Sequence, residues 1–372
     1  MRAGTERVIS DKMNWLAEHG HRVSLVTYEQ GIHPLVFPLH PDIMVKDIDT
    51  RFFTLNALSF WRRIFEFYKM RKSFARRLQR IVDVIAPDVI VTTTYSLKIA
   101  TEIARLRTKA CKVIESHTAL FSVGKEMDYS RIPFFRRVAR RYDQTLFRKV
   151  GKFNLLITLT EGDRRDWSKY ISSVLTIPNP LTYYPEQIEE KKLSNRILCV
   201  GRLTHQKGFD LLIDAFTKIA DIYSDWYVDI YGDGEDKNQL QDQIKKSKLE
   251  ARVNLCMPTA NIYHEYQQSD FFVLSSRYEG YGLVLVEAMS CALPCVSFKC
   301  KYGPEDIIQD GEDGLLVSDG DVDDLARKME WMIKHEEERK EMGKKARLAA
   351  ARFKKEIVIR QWEQTYLSVV SK

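Results

Sequence analysis

At 372 residues the chain is longer than one hydrophobic core usually serves, so two domains are expected. Hydrophobic residues make up 44% and charged residues 29%, the balance of an ordinary globular protein, which excludes the disordered and membrane-spanning classes. The net charge of +7 conceals an asymmetry: residues 1–180 hold 31 basic against 18 acidic side chains, and the remainder holds 27 against 33.

In the first half, apolar runs predict strands at Arg22–Tyr28, Asp88–Thr93, Cys111–Glu115, Asn154–Thr158 and Val174–Ile177. Helical patterns fill Thr5–His19, the long basic stretch Ser59–Ile85, and Ile132–Val150. Pro178-Asn-Pro-Leu-Thr-Tyr-Tyr-Pro185 and the charged run after it interrupt the alternation and read as a linker. Strands resume at Arg196–Val200, Trp226–Tyr231, Val253–Cys256, Phe271–Leu274, Pro294–Ser297 and Gly314–Val317, with helices between them and a last helix over Lys354–Val370. Alternation of this kind is the mark of parallel sheets covered by helices, so two doubly wound α/β halves are expected. The expected boundaries are 1–180, a linker over 181–194, a second domain over 195–353, and a terminal helix, 354–372, packing back on the first domain.

No apolar run approaches the roughly 18 residues needed to cross a bilayer, and no apolar stretch of a signal peptide opens the chain. The six cysteines show no C-x-x-C pair, so free thiols in a reducing cytoplasm are expected. The basic excess gathers in two clusters, Arg62–Arg80 and Arg131–Lys149, each interleaved with aromatics such as Trp61, Phe65, Phe134 and Tyr142. That make-up suits a helix lying on an anionic membrane surface, and no nucleic-acid motif accompanies it.

Two segments carry the chemistry. In Ser275-Ser-Arg-Tyr-Glu-Gly-Tyr-Gly-Leu-Val-Leu-Val-Glu287, Glu279 sits beside Gly280 and Gly282 on a strand-to-helix turn, and Glu287 falls about two turns into the helix. Open backbone amides and a helix N-terminus suit phosphate, while carboxylates suit sugar hydroxyls. Val200-Gly-Arg-Leu-Thr-His-Gln-Lys-Gly208 places Arg202 and Lys207 on another strand-to-helix turn, where they can neutralise a diphosphate. The Asp-x-Asp pairs Asp47/Asp49 and Asp321/Asp323 imitate metal motifs, but neither stands at a strand end beside these residues, so no metal is expected.

Together these residues resemble the retaining glycosyltransferases of sequence family 4, which have the two-domain GT-B architecture of Rossmann-like domains facing a cleft. The resemblance covers nearly the whole chain. It rests on Glu279-x7-Glu287, Gly201-Arg202, Lys207-Gly208, Gly232-Asp-Gly234, Ile177-Pro-Asn-Pro180, Gly303-Pro-Glu-Asp-Ile-Ile308 and Asp310-Gly-Glu-Asp-Gly-Leu-Leu316. It implies that Arg202 and Lys207 bind the donor diphosphate, that Glu279 contacts the transferred sugar, and that Glu287 holds the ribose. Backbone amides of Gly280, Tyr281, Gly282 and Leu283 would complete the donor site, and His117 would lie near the reacting sugar. The implied reaction moves a sugar from a nucleoside-diphosphate sugar, with uridine the commoner base, onto a glycan or lipid-linked glycan in cell-surface polysaccharide synthesis. No cofactor is implied, and the expected place is the cytoplasmic face of a membrane. Two competing readings are a nucleotide-sugar-binding protein without catalysis and a nucleotide-sugar epimerase.

The family's chains open with an apolar strand and a glycine-rich loop. Here the sequence starts at Met1-Arg-Ala-Gly-Thr-Glu-Arg-Val8, so the first strand is expected to be missing and Gly4 and Thr5 to mark the end of the acceptor-side loop. A start placed too late accounts for this, and a truncated, inactive relic is the alternative.

Overall fold

The computed structural model describes residues 4–121, 144–188 and 194–371. The chain divides into two compact units. One comprises the residues up to Thr158, Asp166–Leu175 and the chain from Ile359 onward; the other comprises Leu159–Arg165 and Thr176–Val358.

The first unit opens with helix Gly4–Glu18, and among the described residues no strand precedes it. Strands β1 (Ser24–Thr27) and β2 (Met44–Asp47) form a two-stranded parallel sheet, with Ser24 opposite Met44. A second parallel sheet holds β3 (Val89–Thr93), β4 (Cys111–Ser116), β5 (Leu155–Thr158) and β6 (Val174–Thr176) in that order. Parallel strands need cover on both faces, and β5 is buried along its whole length. Its sheet packs against Phe74, Leu78 and Val82 of helix Phe60–Ile85, three residues at the i, i+4, i+8 spacing that makes one helical face. Trp167 and Phe153 fill the same core.

The second unit is a six-stranded parallel sheet in the order β12-β11-β10-β7-β8-β9. Its strands are β7 (Arg196–Val200), β8 (Tyr227–Tyr231), β9 (Val253–Cys256), β10 (Phe271–Leu274), β11 (Cys295–Phe298) and β12 (Gly314–Val317). The runs Phe-Phe-Val-Leu, Cys-Val-Ser-Phe and Gly-Leu-Leu-Val of β10, β11 and β12 are buried at every position. Helices Phe209–Thr217 and Val322–Lys334 lay Leu212, Phe216, Leu325 and Met329 on the sheet. The chain leaves β7 towards β8 on one side and later returns to β10 on the other. The order therefore reverses between β7 and β10, the place where doubly wound sheets open a crevice beyond their strands' carboxyl ends.

Each expected strand is present within two residues at its ends, but β2 is an additional one. Its Met-Val-Lys-Asp is exposed at all four positions, so no apolar run announces it. The helix expected over Ile132–Val150 is observed from 144 to 150, and its earlier part, with Arg131, Phe134, Arg136 and Tyr142, lies outside the described residues. Residues 189–193 of the expected linker lie outside them as well. Gly4 and Thr5 stand in the first turn of a helix rather than in a loop, because helical backbone begins at Gly4 itself.

Candidate active site

The turn that follows β7 is held on both sides. On one side it meets the turn after β8: Gly201 N–H donates to Tyr231 O and Leu203 N–H to Asp233 O, each at 3.0 Å. A Cβ on Gly232 would stand 1.9 Å from Gly201 O, and one on Gly234 would stand 2.3 Å from Leu203 O, so both glycines are there for close backbone approach. On the other side it meets the turn after β10. Ser275 Oγ donates to Lys207 O at 3.0 Å, Arg277 N–H to Gln206 O at 2.9 Å, and Gln206 Nε2 to Tyr278 O at 3.0 Å. The Arg277 guanidinium grips both oxygens of Asp210, at 2.8 and 2.5 Å, and thereby ties this turn to helix Phe209–Thr217.

This stitching brings together two residues 72 positions apart. Lys207 Nζ donates to Glu279 Oε1 at 2.6 Å, and Ser276 Oγ donates to the same oxygen at 2.7 Å. Glu279 is only 6% exposed, and its own N–H is held by Lys301 O at 3.0 Å. Its carboxylate is thus fixed with Oε2 clear of both bonds. Gly282, at φ +92°, turns the chain into helix Leu283–Ser290, whose N-terminal amides open towards the same crevice. Glu287, one turn and a half further along, accepts a bond from the buried Tyr266 hydroxyl at 3.1 Å. Burial and the neighbouring Glu287 push the Tyr266 phenol well above its ordinary range, so this hydroxyl stays a donor. Tyr281 packs its ring against Phe353 at 6.3 Å, and its buried hydroxyl has no hydrogen-bond partner among the described residues. Arg202 is exposed at the mouth of the β7 turn, and Gly280 and Leu283 are half-buried.

Of the residues singled out in the sequence, Arg202, Lys207, Glu279, Gly280, Tyr281, Gly282, Leu283 and Glu287 all lie beyond the carboxyl ends of β7 and β10. His117 belongs to the first unit, just past the end of β4, with Nε2 at 2.9 Å from Glu115 Oε2. Sequence reasoning missed Ser276 and Arg277, although both lie in the segment it quoted. It gave no role to Asp306 of the quoted Gly303–Ile308 segment, whose Oδ1 accepts from Glu161 N–H at 2.9 Å and whose pKa is pushed upward by burial. The Asp-x-Asp pairs have local duties: Asp47 accepts from Thr27 Oγ1 and Gly31 N–H, Asp49 pairs with Arg51, Asp321 caps helix Val322–Lys334, and Asp323 pairs with Lys218.

A doubly wound unit with glycine turns, a lysine and two acids at its switch point, joined in one chain to a second parallel α/β unit, defines a GT-B glycosyltransferase. The chain belongs to the group 1 glycosyl transferases: that family's model matches residues 183–349, and the glycosyl transferase 4-like domain matches residues 3–179. It is 27% identical over 372 residues to the amylovoran biosynthesis glycosyltransferase AmsD of Erwinia amylovora, covering 96% of this chain and 94% of that one. It is 23% identical over 362 residues to an α-1,4-N-acetyl-D-galactosaminyltransferase of Campylobacter jejuni named for an acceptor on diphospho-undecaprenol, covering 96% and 93%. Among solved structures, HepE of Anabaena in complex with UDP shares the fold with a TM-score of 0.73 at 17% identity, covering 99% and 97%. The protein is a transferase of the glycosyl class, related to enzymes of polysaccharide synthesis.

Proposed function

We propose that the enzyme transfers a sugar, with retention at the anomeric carbon, from a uridine-diphosphate sugar to a lipid-linked glycan at the cytoplasmic face of a membrane. The observation that carries the donor half is the Lys207–Glu279 pair at 2.6 Å across the β7/β10 switch point. Lys207 has further hydrogens to offer a phosphate, and Arg202 adds a second cation. Glu279 Oε2 accepts from hydroxyls of the transferred sugar, the amides of Gly280–Leu283 bind the remaining oxygens, and Glu287 takes the ribose. Because Lys207 and Ser276 anchor Glu279, the carboxylate orients a sugar better than it attacks one. Retention then proceeds by front-face substitution, in which the departing diphosphate takes the proton of the acceptor hydroxyl. Cations and amides already aimed at that leaving group lower the barrier without reorganising.

The lipid-linked acceptor is supported by the first unit. Trp61, Phe65 and Tyr68 of helix Phe60–Ile85 are 78%, 69% and 63% exposed, and Arg62, Arg63, Lys69 and Lys72 are exposed among them. No helix of the described residues is long and apolar enough to cross a membrane. A surface of this kind lies on a bilayer rather than spanning it. A cavity of about 270 Å³ in the same unit has aromatic walls, Phe52, Phe67 and Phe74, and includes Arg71 and Lys149 in its lining. Arg71 and Arg105 already share Glu102, at 2.5 and 2.8 Å, so the region carries an excess of positive charge that suits an anionic acceptor.

A panel of nucleotide sugars tests the donor half. A matching donor at about 100 times its Kd raises stability by about 2.7 kcal/mol, read as a higher Tm. No response to any member of the panel from folded protein overturns the reading. Product anomeric configuration by NMR tests retention, and flotation with anionic liposomes at low salt tests the membrane surface.

A further inference from the structure

Three elements of the first unit that are far apart in sequence deliver ionisable groups to one buried point. Glu115 lies near the end of β4 and is 1% exposed, an acid in the buried run Val-Ile-Glu-Ser. Lys12 comes from helix Gly4–Glu18, on the face that also buries Val8 and Trp15, and is 4% exposed. Tyr366 comes from helix Lys355–Val370. Glu115 Oε1 accepts from Lys12 Nζ at 2.5 Å and from the Tyr366 hydroxyl at 2.6 Å. The Lys12 ammonium also lies 3.8 Å from the centroid of the Trp362 ring. Glu115 Oε2 faces His117 Nε2 at 2.9 Å. Alternate residues of an extended strand point the same way, which is why positions 115 and 117 meet.

The consequence for His117 follows from the donor inventory. An ionised carboxylate only accepts, so Nε2 must carry a proton, and in the neutral ring Nδ1 is then the lone-pair nitrogen. His117 Nδ1 is buried and has no hydrogen-bond partner among the described residues. A buried polar atom left unmet is costly, and a ligand is one group that can meet it. A plain structural staple between β4 and two helices would need Lys12, Glu115 and Tyr366, but it would not need an imidazole held with one nitrogen open.

We propose that Glu115 is a positioning residue: pinned on Oε1 by Lys12 and Tyr366, it reserves Oε2 for His117 and so fixes the tautomer whose Nδ1 accepts a hydrogen bond from a substrate sugar hydroxyl. This rests on the reading of the chain as a sugar transferase. With Oε1 doubly bonded the carboxylate cannot rotate, so the imidazole is oriented as well as protonated in one way.

The test is nitrogen NMR of the full chain labelled at histidine, with His117 assigned by the signals lost in His117→Gln. Wild type should show a protonated Nε2 and a bare Nδ1, and Glu115→Gln should lose that bias. A proton on Nδ1 in wild type, or an unchanged tautomer in Glu115→Gln, overturns the proposal. Should Glu115→Gln fail to fold, the double variant Lys12→Met with Glu115→Gln removes the stranded ammonium and is read in the same way. Kinetics add a second readout that a staple would not move. Glu115→Gln should lower kcat by on the order of 10² through misplacement of the ring, with KM little changed. It should cost nothing further in a His117→Gln background, and equal losses in both backgrounds overturn the positioning role. NMR needs no turnover, so the two readings fail separately. A Glu115-dependent tautomer whose Nδ1 signal answers no nucleotide sugar overturns the sugar assignment alone.

Discussion

Gly208→Ala probes the arrangement on which the proposed donor site depends. Gly208 has φ +62°, in the left-handed region, and a Cβ there would stand 2.1 Å from Ser275 O. Real Cβ atoms do not approach closer than 3.0 Å, so the turns after β7 and β10 must separate by about 0.9 Å. The left-handed backbone costs about 1–2 kcal/mol for any side chain, and the forced separation adds about 1–3 kcal/mol, because both groups are backbone and neither can swing aside. Gly320→Ala is the control: its φ is +71°, but nothing lies within 4 Å of the added methyl, so it bears the backbone cost alone. At about 2–4 °C per kcal/mol for a unit of this size, Gly208→Ala should unfold about 4–20 °C below wild type and Gly320→Ala only about 2–8 °C below. Calorimetry measures both. The separation also pulls Lys207 from Glu279, so Gly208→Ala should lose on the order of 10² in kcat/KM for the nucleotide sugar, while Gly320→Ala retains wild-type kinetics. Matching melting temperatures and matching kinetics for the two variants would refute the reasoning.

Three further outcomes follow from the same geometry. Burial raises the cost of the Glu115 charge, yet Lys12 and the bond from His117 outweigh it and hold the carboxyl at about 2, below its ordinary value. A depressed folded-state value means stability fully present above about pH 4.5 and lost as the pH falls towards 2. Urea unfolding should therefore show wild type ahead of Glu115→Gln by about 3 kcal/mol at neutral pH, with the gap closing in that window. Lys207→Met should weaken UDP binding at least tenfold by calorimetric titration, whereas Lys218→Met, at an exposed pair with Asp323, should leave it unchanged. Arg196, buried at the start of β7, bonds Asp229 at 2.6 Å and Glu265 at 2.7 Å; Arg196→Met should destabilise by about 3–5 kcal/mol in chemical unfolding, since it strands two carboxylates.

Much of this architecture was legible because a parallel sheet writes continuous apolar runs into the sequence. Arg-Ile-Leu-Cys-Val of β7 and Phe-Phe-Val-Leu of β10 could be placed on sight, and the turns that follow them hold the residues proposed to bind the donor. That Lys207 would touch Glu279 could not be read, because spacing along a chain carries no contact between turns 72 residues apart. The same limit hid the Glu115 cluster. Lys12 and Glu115 each break an apolar pattern, which is a visible anomaly, but the Tyr366 hydroxyl lies 251 residues from its partner. β2 escaped because its four exposed residues have neither alternation nor a run. The membership of Leu159–Arg165 in the second unit escaped as well, since a short excursion leaves no break in composition.

Among the described residues the first unit carries its strands as a pair and a quartet, in which β1 ladders with β2 and β3 with β4. The outer strands β2 and β3 of these two sheets differ in what they expose. β2 ends in Lys46 and Asp47, charges of the sort that discourage strangers, whereas β3 reads Val-Ile-Val-Thr-Thr with Val91 at its centre 42% exposed. Of the two, β3 has the composition that would better tolerate pairing with another extended chain.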